Sequence, residues 1–170
     1  MQDLENNLTL TQTLSSINNV VSLPGYSLLD LDADLNIDEH NSKLGEGGTA
    51  TIYKCTFRKL SLLSKYSFNE VAVKLLKTNN LEAIDLIKFE IAIMSSIPPH
   101  QNVIQFVGYS ESPYSIVMKY YPNSLKDLMA KAELYGSKAL RMKIAHDIAL
   151  GMVHIHKSGV LHLDLKPRKF

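Results

Sequence analysis

The tightest constraint on this fold is a run of glycines set between two strand-forming stretches. Gly45, Gly47 and Gly48 fall inside Lys43-Leu44-Gly45-Glu46-Gly47-Gly48-Thr49-Ala50, and Thr51-Ile52-Tyr53-Lys54-Cys55-Thr56-Phe57 follows at once. The second stretch is rich in β-branched and aromatic residues, which suit a pleated, half-buried surface. The spacing Gly45-x-Gly47-x-x-Ala50-x-Ile52 lets backbone N–H groups approach phosphate oxygens, because glycine has no Cβ to hold them off. A hairpin turn without any ligand would carry the same residues. A dinucleotide-binding fold needs such glycines between a strand and a helix. Here a strand follows, which argues against that fold.

The rest of the chain divides by pattern. Residues 1–41 are rich in Asn, Ser, Thr and Asp with scattered leucines and no sustained period, which predicts a loose polar leader with at most a short helix or strand near Ser27 to Leu31. Glu70-Val71-Ala72-Val73-Lys74-Leu75-Leu76 reads as a strand. Asn79 or Asn80 caps a helix over Leu81 to Ser96, where Ile84, Ile87, Ile91 and Met94 recur at helical spacing. Pro98-Pro99 stops it. Strands are predicted over Val103 to Tyr109 and Tyr114 to Tyr120. The pattern then turns helical: Ser124 and Asp127 resemble a capping box opening Leu125 to Leu134. A longer helix runs from Lys138 to Lys157 with Leu140, Ile144, Ile148, Met152 and Ile155 on one stripe. The order is strands with one helix among them, then helices, an α+β arrangement with segments 42–121 and 122–170.

Charge and length narrow the function classes. The 170 residues suffice for one domain with a real core, and a net charge of +1 gives no electrostatic case for nucleic acid or an anionic membrane. The first ten residues lack a basic, then apolar, signal pattern, and no apolar run is long enough to span a bilayer. The single cysteine, Cys55, has no internal partner, which fits a reducing, cytoplasmic setting. Asp30-x-Asp32-x-Asp34-x-Asn36-x-Asp38 has the rhythm of a calcium loop. It carries Leu35 where glycine is needed and Asn41 where a bidentate Glu is needed, so it reads as a solvated acidic linker with no metal site.

Three further groups suggest chemistry. Lys74 ends an apolar strand, and Glu90 lies near the middle of the following helix between Phe89 and Ile91. A phosphate-binding ammonium in a partly dry cleft needs a partner to fix its position. Alternatively Lys74 is a solvated strand end and Glu90 a surface charge. His162-Leu163-Asp164-Leu165-Lys166-Pro167 follows the long helix and Gly159. An aspartate there suits proton acceptance from a hydroxyl, and a lysine two residues on suits charge neutralisation. An Asp–Lys pair is also common in ordinary surface loops.

Taken in order, these residues resemble a eukaryotic protein kinase domain over roughly Lys43 to Phe170. Lys166 resembles the serine/threonine-specific pattern, and the wording of segments such as Asn102–Tyr109 is similar to the tyrosine-kinase-like group. The resemblance implies an antiparallel sheet lobe with one αC-type helix and the first helices of a helical lobe. It implies ATP as cofactor, with Gly45, Glu46, Gly47 and Gly48 over the phosphates and Lys74 held by Glu90. Ile52 and Ala72 would sandwich the adenine, Met118 would stand behind it, and Lys119, Tyr120 and Tyr121 would form the hinge. Asp164 and Lys166 would be catalytic. Met94, Phe106 and His162 would match an internal hydrophobic column, each with an ordinary core reading as well. A protein substrate or regulatory protein would be the partner.

Several departures qualify the likeness. Leu163 replaces the loop arginine, and Lys169 replaces an asparagine that ligates Mg²⁺ in the family; an ammonium cannot coordinate a cation. The sequence stops at Phe170 before any Asp-Phe-Gly segment, so an incomplete domain is expected. An uncovered Leu140, Ile144 or Ile148 would each forfeit about 1.5–3 kcal/mol against a usual total of about 5–15 kcal/mol. That predicts a sticky or poorly stable chain unless a partner covers this face. Phosphoryl transfer to protein Ser/Thr is the leading expectation. A non-catalytic nucleotide-binding protein or an interaction fragment is the alternative.

Overall fold

The computed structural model describes residues 27–37, 42–131 and 135–167. Its centre is a seven-stranded sheet: β1 (Ser27–Leu28), β2 (Leu35–Ile37), β3 (Lys43–Glu46), β4 (Ala50–Phe57), β5 (Glu70–Leu76), β6 (Phe106–Glu111) and β7 (Tyr114–Lys119). The spatial order is β1-β6-β7-β5-β4-β2, with β3 also on β4. Every pairing is antiparallel except β1 with β6.

Strand alternation gives the sheet two working faces. On the upper face Cys55, Phe57, Val71, Val73, Val107 and Val117 are buried together with Leu29, Leu31 and Leu35. On the lower face Ile116 and Phe106 meet Ile87 and Ile91 of helix α3 (Leu81–Ser96). The Asn80 side chain accepts from the Glu82 N–H at 3.0 Å and so caps α3. Helix and cap match the sequence expectation.

The short element expected near Ser27 to Leu31 is present as β1 and the start of a helix, but the loose leader is corrected over Ser27–Ile37. This stretch crosses the upper face as a strap: β1 on one edge strand, α1 (Leu31–Asp34) over the top, then β2 against the far half of β4. Its leucines gave no period because the segment changes geometry within a few residues. Leu35 is only 1% exposed. Arg58 ties the strap to the end of β4, donating to Asn36 Oδ1 at 2.9 Å and to the Asp32 carbonyl at 2.7 Å. The remaining leader residues lie outside the described residues.

Two other details differ from expectation. A short helix, α2 (Leu60–Lys65), bridges β4 and β5, with Leu62 buried in the upper core. The strand predicted from Val103 begins at Phe106, because 97–105 form a loop that turns toward the helical region. Helix α4 (Leu125–Met129) has the expected capping box, Ser124 with Asp127. It ends at Met129, with Ala130 as its C-cap, short of the expected end at Leu134. Helix α5 (Lys138–Lys157) has its expected bounds and is capped by Ser137.

Candidate active site

The lower sheet face places several of the selected residues by register alone. Ile52 pairs with Lys74, and Lys74 with Ile116; Lys54 pairs with Ala72, and Ala72 with Met118. Cross-strand partners share a face, so Ile52, Ala72, Lys74 and Met118 lie on one surface, beside the β3–β4 hairpin that carries the glycines. The Gly47 N–H donates to the Ala50 carbonyl at 2.8 Å and closes that turn. No heavy atom lies within 4 Å of a Cβ built at Gly45 or Gly48, so space is open beside the turn. Ala50, at the third glycine position, is buried and pairs with Leu76. That anchors the strand end of the hairpin.

Lys74 is held as the chemistry requires. Its Nζ lies 2.5 Å from Glu90 Oε2, joining β5 to α3 in a partly buried pair. The contact couples the position of α3 to the lysine. Glu46 behaves differently from a phosphate-facing group: its carboxylate bonds Lys43 and, at 2.7 Å, Lys77 Nζ. The Lys43 and Lys77 ammoniums pull its pKa down to about 2.

After β7 the backbone donors are used selectively. The Lys119 N–H donates to the Gln105 carbonyl at 2.9 Å and the Tyr120 N–H to the Glu70 carbonyl at 3.2 Å. The Tyr121 N–H makes no bond among the described residues. The Lys119 side chain sits over the Phe68 and Tyr121 rings at 5.0 and 5.3 Å from their centroids. Partial burial raises the Tyr121 phenol pKa.

Asp164 and Lys166 form a further ion pair, 2.9 Å apart and half-exposed. The preceding Leu163 has φ 44° and is 91% exposed. A leucine in left-handed backbone carries local strain, and the turn it makes is closed by the Asp164 N–H bonding the His162 carbonyl. Met94 and Phe106 pack together in the lower core; His162 follows α5 and is half-buried.

The loop 97–105 packs against α5, a contact that the sequence did not announce. Asn102 Nδ2 donates to the Asp147 carbonyl at 2.9 Å. Gly151, the one buried residue of α5, lets the helix approach so closely that a Cβ there would stand 2.5 Å from the Asn102 carbonyl oxygen. The His100 and His154 rings stack at 4.5 Å, and His154 Nε2 bonds the Pro98 carbonyl at 2.8 Å. This contact fixes α5, and so the segment bearing Asp164, relative to the sheet.

Among the described residues no three His, Cys, Asp or Glu side chains are grouped to hold an ion. Asp30 spends its carboxylate on the N–H groups of Asp32 and Ala33, and Asp34 pairs with Lys59 at 3.1 Å. In the calcium-like rhythm Asp30 thus caps a helix and Asp34 serves an ion pair; Asp38 and Asn41 of that pattern, and Lys169, lie outside the described residues. Among the described residues no helix is long and apolar enough to cross a membrane.

A profile of the family described as "Protein tyrosine and serine/threonine kinase" matches residues 39–170. The chain belongs to the protein kinase family. Its sheet, αC-type helix (α3) and first helices are those of a kinase sheet lobe with part of the helical lobe. It is 32% identical over 139 residues to the probable serine/threonine-protein kinase pats1 of Dictyostelium discoideum, covering 72% of this chain and 4% of that protein. A second probable serine/threonine-protein kinase of the same organism is 30% identical over 146 residues, 78% of this chain and 33% of the relative. The serine/threonine-protein kinase STY46 of Arabidopsis thaliana is 33% identical over 130 residues, 73% of this chain and 21% of the relative. The chain thus spans a third or less of the length of these kinases.

Proposed function

We propose that the lower sheet face binds ATP and that the site belongs to phosphoryl transfer onto protein serine or threonine. The observation that carries this reading is the Lys74–Glu90 pair beside the glycine hairpin. An ammonium fixed by a carboxylate holds phosphate oxygens, and glycine backbone N–H groups add donors above them. Ile52, Ala72 and Met118 offer an apolar surface for a base, and the Tyr121 N–H offers a donor for its edge. Asp164 would accept the proton of an incoming hydroxyl, and Lys166 would offset charge on the transferred group.

The family implies Mg²⁺. Lys169 stands at the place of a metal-binding asparagine, and an ammonium cannot ligate a cation, which favours a second reading: nucleotide binding without transfer.

Titration with a fluorescent ATP analogue, with and without Mg²⁺, tests the first claim. Saturable binding is expected, with Lys74→Met weakening it about tenfold or more, since a charge-assisted bond is lost. Equal binding by wild type and Lys74→Met would refute the site. Transfer of labelled phosphate to casein, abolished by Asp164→Asn, would decide for catalysis; binding without transfer would decide for the second reading.

A further inference from the structure

Strand β3 is held to the sheet along one side only. It has four residues, pairs only with β4, and carries a register shift between Lys43 and Gly45. Left to β4 alone, the hairpin would pivot about that one ladder. One contact bypasses β4. Glu46 on β3 reaches across to Lys77, the residue after β5, with Oε1 to Nζ at 2.7 Å. Its other oxygen takes Lys43, on its own strand, so both carboxylate oxygens are occupied. The Lys77 N–H donates to the Thr49 carbonyl at 2.9 Å, extending the β4–β5 ladder by one pair and placing Lys77 beside the glycine turn.

We propose that Lys77 is a positioning residue: with Glu46 it forms an electrostatic latch that holds the glycine hairpin against the sheet in a phosphate-receiving position. The positioning role rests on the ATP reading above; the latch itself does not. Lys77 stands three residues beyond Lys74 on the same chain direction. One strand end therefore fixes both the phosphate-binding ammonium and the flap over it. A hairpin held before the nucleotide arrives loses less freedom on binding. Glu46 stays ionised through any working pH, because its two lysines favour the carboxylate. The pair is exposed, so its effect is modest and sensitive to salt.

Hydrogen exchange of the Gly47 amide, read by NMR on the whole chain without nucleotide, tests the latch. Lys77→Gln is expected to speed exchange about two- to fivefold, as loss of an exposed ion pair allows. Lys77→Arg should restore the wild-type rate. Lys43→Gln should leave it unchanged, because that contact stays within β3. High salt should bring wild type to the Lys77→Gln rate. Binding of the fluorescent ATP analogue should weaken about two- to fivefold in Lys77→Gln and recover in Lys77→Arg. Unchanged Gly47 exchange in Lys77→Gln overturns the latch, whether or not nucleotide binds. Faster exchange with unchanged affinity overturns the positioning role. No binding by wild type overturns the ATP reading and the positioning role together, and Gly47 exchange then decides the latch alone.

Discussion

The sheet region and the helical region are held together by different physics. Between Leu29 and Val117 the chain buries apolar side chains on both faces of one sheet, with Val71, Val73, Val107, Ile116 and Val117 at 0% exposure. Each such side chain is worth about 1.5–3 kcal/mol. Helix α5, with 20 residues, buries only Gly151. Its expected core stripe, Leu140, Ile144, Ile148, Met152 and Ile155, is half-buried, while Met142, Leu150 and Val153 form an exposed second stripe. The sheet region can support itself. Helix α5 is placed chiefly by polar and steric contacts with one loop, 97–105. The Lys74–Glu90 pair therefore stands on a well-packed core, and the Asp164–Lys166 pair follows a helix that buries little.

The contrast can be broken first at the strap. Leu35→Ala should cost about 2–5 kcal/mol in urea unfolding of the sheet region, because Leu35 is almost fully buried in the upper core. A loss below about 1 kcal/mol would mean that the strap is an accessory and that the sheet's independence begins at β3. Next in size, Gly151→Ala should cost about 1–3 kcal/mol, since its Cβ would collide with the Asn102 carbonyl. The loss should appear as faster hydrogen exchange and proteolysis across Lys138–Lys157, with exchange of β5 and β7 unchanged. Weakening of both regions together would show that they form one cooperative unit. Smallest, Met142→Ala should change stability by no more than about 0.5 kcal/mol, because Met142 is 63% exposed. A larger change, read by the same unfolding curve, would show that this face is covered in solution.

The elements with a strong local signature were readable from sequence. Helix α3 has an asparagine cap and apolar residues at helical spacing; α5 has a serine cap and a stripe across five turns. The glycine turn and Val71-Ala72-Val73-Lys74 announced a hairpin and a strand. The strap was illegible because its leucines serve strand, helix and strand again within eleven positions, leaving no period. The 97–105 loop was illegible for another reason. Asn102, His100 and Gly151 look ordinary on their own, and their role appears only when two distant segments touch. Glu46 was legible as a member of the glycine turn, but its partner Lys77 was not, since the contact crosses an intervening strand.

The sequence by itself determined the order of strands and helices, the glycine turn, and the residues that mark the chain as a member of the protein kinase family. These depend on local backbone preference and side-chain chemistry, which neighbouring residues specify. Tertiary structure alone decided that Glu46 faces lysines, that Ser27–Ile37 completes the sheet, and that a glycine-to-carbonyl contact seats α5. Each depends on packing between segments far apart in the chain, and such contacts are set by the shape of the whole fold.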